Sequence, residues 1–297
     1  MADRVSSGLG ALWALTVAVT ARVARHGQMA RASQFAYVAF LASIPFMFVL
    51  VSVLGLIASP SDYAELIDRT RGTIPDQVAD FLDSLLQAAS ASTSQSAIFL
   101  AIGLIVGLWL AGNVTGSITD GLDDALGRTH RPWVHGKARA LGLAAITGVV
   151  FALTTIMAVL GPVVITWVFE QVNAAGLGTV TAQLLVAVTA ALIFWVFLVL
   201  LYRFAPNEDG VRWREVVPGA VVGVAGWLIV ANLFRLYVDN FGSYNRVYGS
   251  LGVVVIYLVF LYLTGLTILI GGEMSAELHQ RRRGDDAERQ HPASAFP

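Results

Sequence analysis

Six long apolar segments constrain this chain more than any other feature of its sequence. Each is long enough to cross the roughly 30 Å hydrocarbon core of a bilayer as a helix. Hydrophobic residues make up 56% of the chain and charged residues 13%, a balance typical of a membrane protein. The pattern predicts an all-α, polytopic membrane helical bundle. Its six transmembrane helices are predicted at residues 37–58, 97–116, 138–168, 182–202, 217–238 and 250–272.

The positive charges predict how the bundle is oriented. Cytoplasmic loops of membrane proteins carry an excess of Lys and Arg. If the N-terminus is cytoplasmic, 15 of the 19 such residues fall inside, and the four outside are Arg69, Arg71, Arg235 and Arg246. We therefore expect a multi-pass membrane protein with both termini in the cytoplasm and an even number of spans.

Residues 1–30 are predicted to form an N-terminal cytoplasmic or interfacial helix. The apolar stretch 8–21 is too short to span a bilayer, and it is followed by Arg22, Arg25 and Arg31. Positive charge on that side argues against a cleaved export signal. A helix in the plane of the membrane interface fits the pattern better.

The six-span membrane domain is expected to cover residues 31–280. It includes an acidic outer segment, 59–96, where apolar residues from Val78 to Leu86 recur at helical spacing. This periodicity predicts amphipathic helices covering the outer mouth of the bundle. Residues 281–297 are polar and predict a disordered cytoplasmic tail.

Several kinds of chemistry have no support in the sequence. A net charge of −1 gives no basic surface for nucleic acid, and the absence of cysteine excludes thiol catalysis. Gly136-Lys137 lacks the rest of a phosphate-binding loop. His130 and His135 do not have metal-ligand spacing. We therefore predict that the chain is not an enzyme and needs no metal or cofactor.

Polar residues interrupt the last two apolar segments, and they form the main candidate site. Asn232, Arg235 and Asp239 fall on one helical face. They could line a polar groove open to the outside that binds an anionic or amphiphilic substrate. In the alternative, Arg235 pairs with Asp239 at i, i+4 and the tyrosines belong to the interfacial aromatic belt. The predicted groove residues are Asn232, Arg235, Asp239, Tyr244, Asn245 and Tyr248.

Glu273 and Asn113 are two further candidates. Glu273 directly follows a long apolar run and Gly271-Gly272, so it is expected to be partly embedded. It could hydrogen-bond a neighbouring helix and stabilise the fold, or it could couple a proton or substrate to movement. Asn113 lies at the inner end of the second predicted span and is expected to hydrogen-bond between helices.

Pairs of glycines four residues apart occur in the apolar segments. Such small-xxx-small spacing lets helices pack closely. The signal is weak in a chain with 28 glycines. The pairs are Gly103 with Gly107, Gly112 with Gly116, and Gly219 with Gly223.

Several motifs over residues 30–280 resemble the YihY/virulence factor BrkB family of bacterial inner-membrane proteins, once labelled ribonuclease BN. This chain has Gly-Gly-Glu where the family usually has Gly-Ala-Glu, which leaves the glutamate in register. The resemblance implies a six-span, all-helical protein with no settled biochemical activity. Its motifs are Tyr37 with Ser43-Ile44-Pro45, Tyr202-Arg203-Phe204-Ala205-Pro206, Trp213-Arg214-Glu215-Val216-Val217-Pro218-Gly219-Ala220, Tyr244-Asn245-Arg246-Val247-Tyr248-Gly249-Ser250-Leu251, Leu261-Tyr262 and Gly271-Gly272-Glu273-Met274.

Two hypotheses of function follow from the sequence, which disfavours a third, a membrane-embedded hydrolase or nuclease. In the first, the protein transports or gates a lipid or other amphiphilic envelope component through the polar groove. In the second, it is a non-transporting membrane scaffold of an envelope complex. The expected partners are membrane lipids, an anionic or amphiphilic substrate and, as an open alternative, a second copy of the chain.

Overall fold

The computed structural model describes residues 2–57, 93–128, 142–143, 145–146, 178–207, 211–241 and 245–290. Within these ranges the regular structure is helical, with no strand. The helices are α1 (Ala2–Arg25), α2 (Gln28–Ile57), α3 (Thr93–Ala125), α4 (Gly178–Phe204), α5 (Trp213–Phe241) and α6 (Asn245–Gln290). The all-α prediction therefore holds for the described part of the chain.

Three of these helices contain windows long and apolar enough to cross a membrane: Ala187–Phe204 in α4, Trp213–Tyr237 in α5 and Val254–Gly284 in α6. Helices α2 and α3 include most of the first two predicted spans. Most of 138–168 and of the outer segment 59–96 lies outside the described residues. The count of six spans and the amphipathic outer helices thus remain predictions.

Glycines end two helices at the same end of the bundle. Gly27 has φ = 64° and terminates α1, and α2 begins at the next residue. Gly127 has φ = 65° and closes α3, where the Arg128 amide donates to the Asp123 carbonyl and the Gly127 amide to that of Asp124. This pairing is the Schellman motif, which requires a left-handed residue that glycine adopts without strain.

Close packing of α5 against α6 depends on small residues. A Cβ placed on Gly271 of α6 would lie 2.6 Å from the Gly219 carbonyl oxygen and 3.1 Å from the Gly223 Cα. The close helix approach predicted from Gly219 and Gly223 is confirmed. Next to this contact, the buried Tyr202 of α4 donates its hydroxyl hydrogen to the Ile268 carbonyl of α6.

The C-terminal part of α6 corrects one prediction. The helix continues to Gln290, ten residues into the segment predicted to be a disordered tail. Good helix formers occupy most of this extension. Arg281 also donates from Nε to Glu277 Oε1 at 2.7 Å, an i, i+4 pair that supports the helix. Residues 291–297 lie outside the described part.

Candidate functional site

Arg22 of α1 is the centre of a buried polar cluster. Its side chain is only 7% exposed, and its Nε donates to Glu273 Oε2 at 3.0 Å. Its Nη1 donates to Gln280 Oε1 at 2.8 Å and lies 3.4 Å from Glu277 Oε2. Its Nη2 donates to the Ala125 carbonyl at the end of α3. One guanidinium therefore joins α1, α3 and α6.

Glu273 of α6 is completely buried, and its carboxylate accepts hydrogen bonds from several members of the cluster. Its Oε1 receives a hydrogen bond from Gln28 Nε2 at 2.8 Å and lies 2.7 Å from His26 Nδ1. Gln28, also fully buried, donates in addition to the Gly121 carbonyl of α3 at 2.9 Å. We call Arg22, His26, Gln28, Glu273, Glu277 and Gln280 the polar cluster.

Local sequence explains how these side chains meet. Gly27 has a left-handed backbone between α1 and α2, and Arg22, His26 and Gln28 on its two sides all contact Glu273. Gly121 leaves room on α3, because a Cβ there would lie 2.9 Å from Gln28 Oε1. On α6, Glu273 and Glu277 are one helical turn apart, and both contact Arg22.

Charged pairs around the polar cluster hold the same ends of the helices together. Arg31 of α2 donates to Asp124 Oδ2 of α3 at 2.9 Å and lies 3.6 Å from Asp120 Oδ2. Buried Asp123 accepts from the Asn207 amide just after α4, at 2.6 Å. The start of α2 and the ends of α3, α4 and α6 therefore meet at one end of the bundle.

Glu215 of α5 forms a second buried group at this end, which we call the Glu215 cluster. Its Oε2 accepts from the Arg212 amide at 2.8 Å, a capping interaction at the start of α5. The same oxygen lies 2.8 Å from His279 Nδ1, and Oε1 lies 2.9 Å from Arg282 Nε. The end of α6 is thereby joined to the start of α5.

A small cavity lies beside the polar cluster. It has a volume of about 10 Å³, roughly what one water molecule needs. Leu122 of α3, Tyr202 of α4 and Gly272 with Ser275 of α6 contribute to its wall. The cavity is a water-sized and mostly apolar space beside Gly272, the residue that precedes Glu273 in α6.

This arrangement can bind charge and hold helices, and it can accept or release protons. Burying an ion pair costs desolvation energy unless further hydrogen bonds satisfy it. Here all three guanidinium nitrogens of Arg22 and both carboxylate oxygens of Glu273 are hydrogen-bonded. Among the described residues, no group of three His, Asp or Glu side chains is arranged to hold a metal ion.

The predicted outer groove is described only in part. Asn232 and Arg235 are both exposed on α5, and Asn232 Nδ2 donates to the Leu228 carbonyl of its own helix at 2.7 Å. For Asp239, Asn245 and Tyr248 only the helical backbone is described, and Tyr244 lies outside the described residues. Asn113 is half-buried on α3. The groove remains a prediction.

Sequence reasoning selected Glu273 but missed Arg22, His26, Gln28 and Glu215 as site residues. The sequence pattern indicates Arg22 only as part of the positive charge that orients the protein in the membrane. Its partner on α6 lies 251 positions away, so no local spacing could connect them. One signal in the sequence points to such a partner. Glu273 ends an apolar run, and a carboxylate buried there needs a cation from elsewhere in the chain.

Comparisons with known proteins agree with the sequence motifs. The chain is 42% identical over 91 residues to a putative ribonuclease-like protein, YfkH, of Bacillus subtilis, covering 31% of this chain and 33% of that protein. It is 34% identical over 120 residues to a UPF0761 membrane protein of Alteromonas mediterranea, covering 40% and 39%. A UPF0761 membrane protein of Xanthomonas campestris is 35% identical over 98 residues, covering 33% and 23%.

Each of these alignments covers well under two thirds of the relative's length. No solved structure matches the chain. The family model described as virulence factor BrkB, in contrast, matches residues 19–295, which include both the polar cluster and the Glu215 cluster. The chain is therefore a membrane protein that belongs to the virulence factor BrkB family.

Proposed function

We propose that this protein transports or gates a lipid or other amphiphilic component of the bacterial envelope, and that the polar cluster couples its helices during that movement. The observation that carries the proposal is the burial of Glu273. Ionisable side chains at the ends of membrane spans are costly to bury and commonly mark functional sites. In a transporter, such a group can bind an ion or link helices that move relative to each other.

The position of Glu273 supports this role. It lies on α6, whose sequence also carries Asn245 and Tyr248 of the predicted groove, and it contacts residues of α1 and α2. A change of charge at the polar cluster would therefore act on the helix that lines the proposed groove. In this proposal both termini are cytoplasmic, and the polar cluster lies on the cytoplasmic side of the inner membrane.

Lipid exchange between leaflets tests the proposal. The protein is reconstituted in liposomes with labelled phospholipid, and exchange is followed for the wild type, Glu273→Gln and Arg235→Ala. We expect the wild type to accelerate exchange and both variants to lose most of the acceleration. Arg281→Ala is the matched control, because Arg281 is 48% exposed and forms only a surface pair with Glu277. Equal, protein-independent rates in all samples would reject transport of these lipids.

A non-transporting scaffold is the second candidate, and one observation favours it. The oxygens of Glu273 are both hydrogen-bonded within the protein, as expected of a group that only locks helices together. This hypothesis predicts that folded Glu273→Gln protein still complements a deletion strain, whereas changes in residues 73–87 or 281–297 do not. Complementation by the segment variants together with failure of Glu273→Gln would reject it.

A further inference from the structure

His26 lies between solvent and the fully buried carboxylate of Glu273. The imidazole is 27% exposed, whereas Glu273 is 0% exposed, and the two groups are 2.7 Å apart between Nδ1 and Oε1. Imidazole is the side chain that ordinarily changes charge between pH 5 and 8. A proton can therefore reach the edge of the polar cluster from solvent through one ring.

The hydrogen bonds allow His26 to gain a proton without breaking any contact in the polar cluster. With Nδ1 donating to Glu273 Oε1, the other nitrogen, Nε2, is free to accept a proton on the ring's opposite side. Protonation then gives the donor a positive charge, and a charged ring binds the Glu273 carboxylate more strongly than a neutral ring does. The bond between α6 and the turn after α1 becomes stronger as a result.

The charges that face His26 are otherwise balanced. Arg22 of α1 and Arg281 of α6 contact the two carboxylates of α6, Glu273 and Glu277, at 2.7–3.4 Å. Two cations therefore meet two anions while His26 is neutral. A proton on His26 leaves this group with one net positive charge.

Two further sets of charges lie on neighbouring positions. Arg25 is exposed at the end of α1. Arg31 of α2 pairs with Asp124 of α3 and lies near Asp120. His26 contacts Glu273 directly, so its protonation adds a positive charge to the polar cluster itself.

The Glu215 cluster provides an internal comparison. His279 is 2.8 Å from Glu215 Oε2 with the same ring nitrogen, Nδ1, but its side chain is only 3% exposed. The two pairs have similar chemistry and differ in access to solvent. Access therefore favours His26 over His279 as the group that exchanges protons with the cytoplasmic side.

We infer that His26 and Glu273 form a proton-binding site that opens to solvent at His26, and that proton binding there regulates the movement proposed above. Only the regulatory part of this inference, that the proton controls movement, rests on the proposed function. The binding site itself stands on the geometry of the polar cluster. The two parts are tested by separate measurements.

Nuclear magnetic resonance of the histidine rings tests the site directly. Full-length protein labelled with nitrogen-15 in histidine is placed in lipid nanodiscs, and ring signals are followed from pH 5 to pH 8. We expect one ring to change from a neutral form protonated at Nδ1 to a charged form, and its signal to be missing in His26→Asn. The signal should persist in His279→Asn. A His26 ring that keeps one protonation state over this range, or is neutral with the proton on Nε2, overturns the inference.

Leaflet exchange over the same pH range tests the regulatory part. We expect the exchange rate of the wild type and of His279→Asn to depend on pH, and that of His26→Asn not to. A pH dependence that survives in His26→Asn, or is lost only in His279→Asn, overturns the regulatory role. If the wild type catalyses no exchange at any pH while His26 titrates, the proposed function fails and the proton site stands.

Discussion

The polar cluster depends strongly on Arg22. Its guanidinium is the positive charge that contacts Oε2 of the buried Glu273. Replacing it leaves a desolvated carboxylate whose remaining partners are His26 and Gln28. Removing one member of a buried ion pair costs about 3–5 kcal/mol. We therefore expect Arg22→Ala to lower the free energy of unfolding by that amount, measured by denaturant titration of detergent-solubilised protein.

Arg281→Ala is the control for that measurement. It removes a half-exposed i, i+4 partner of Glu277, and exposed pairs contribute about 0.2–1 kcal/mol. Similar losses in the two variants would contradict the idea that burial makes Arg22 different.

Sequence could identify Glu273 at the residue scale but not its partners. A glutamate that follows Gly271-Gly272 after an apolar run is visible without any structure. That Arg22, His26 and Gln28 surround it depends on the turn at Gly27 and on the docking of α1. Such tertiary contacts have no periodicity in the chain, so propensity and spacing do not predict them.

Between elements, the contact of α5 with α6 has the least room. Gly271→Ala would place a methyl group against backbone atoms of Gly219 and Gly223, which cannot rotate away. Overpacking of this kind costs about 1–3 kcal/mol. We expect the variant to melt at a lower temperature than the wild type in a thermal unfolding assay.

Gly284→Ala is its matched control on the same helix. A Cβ at Gly284 meets nothing within 4 Å, and alanine is a better helix former than glycine by about 1 kcal/mol. This variant should therefore be as stable as the wild type or slightly more so. A loss at Gly284 equal to that at Gly271 would mean that packing between α5 and α6 is not the cause.

The docking of α1 can be tested by proteolysis. Arg25 is exposed and directly precedes the turn at His26 and Gly27. Arg22→Ala should let α1 open more often, and local opening governs cleavage when reclosing is fast. We expect trypsin to cut after Arg25 several times faster in this variant. An unchanged rate would indicate that other contacts hold α1.

The described helices were predicted well where long apolar segments define them. Helices α4, α5 and α6 contain the predicted segments 182–202, 217–238 and 250–272. The end of α6 is not predicted, because the polar composition near Arg281 indicates a disordered tail. Charged residues such as Glu277 and Arg281 form helix-stabilising pairs at i, i+4, and hydropathy does not record them.

At the scale of the whole molecule, the predicted orientation in the membrane can be tested by labelling the two ends of the helix bundle. The chain has no cysteine, so single cysteines can be introduced without a background to remove. We expect Ser6→Cys and Asn207→Cys in intact cells to react with a membrane-impermeant maleimide only after permeabilisation. Ser243→Cys, between α5 and α6, should react directly, because positive charge favours the cytoplasmic side for the first two positions.

Each cysteine variant is also labelled after permeabilisation, which shows that the thiol is reactive. Direct labelling at Ser6→Cys with protection at Ser243→Cys would reverse the proposed orientation. Sequence predicts this orientation from the count of Arg and Lys. The helix ends at Arg22, Arg128, Arg203 and Arg212 also lie at one end of the bundle, as that prediction requires.

Helix α6 runs without a break from Asn245 to Gln290. At 1.5 Å per residue, the distance from Asn245 to Glu273 is about 42 Å, more than the thickness of the hydrocarbon core. One stiff lever thus extends from the predicted outer groove to the polar cluster. If this helix tilts as a rigid body, a displacement at the polar cluster also displaces its other end. Movement at one side of the bilayer can then change the other side without a chain of separate side-chain rearrangements.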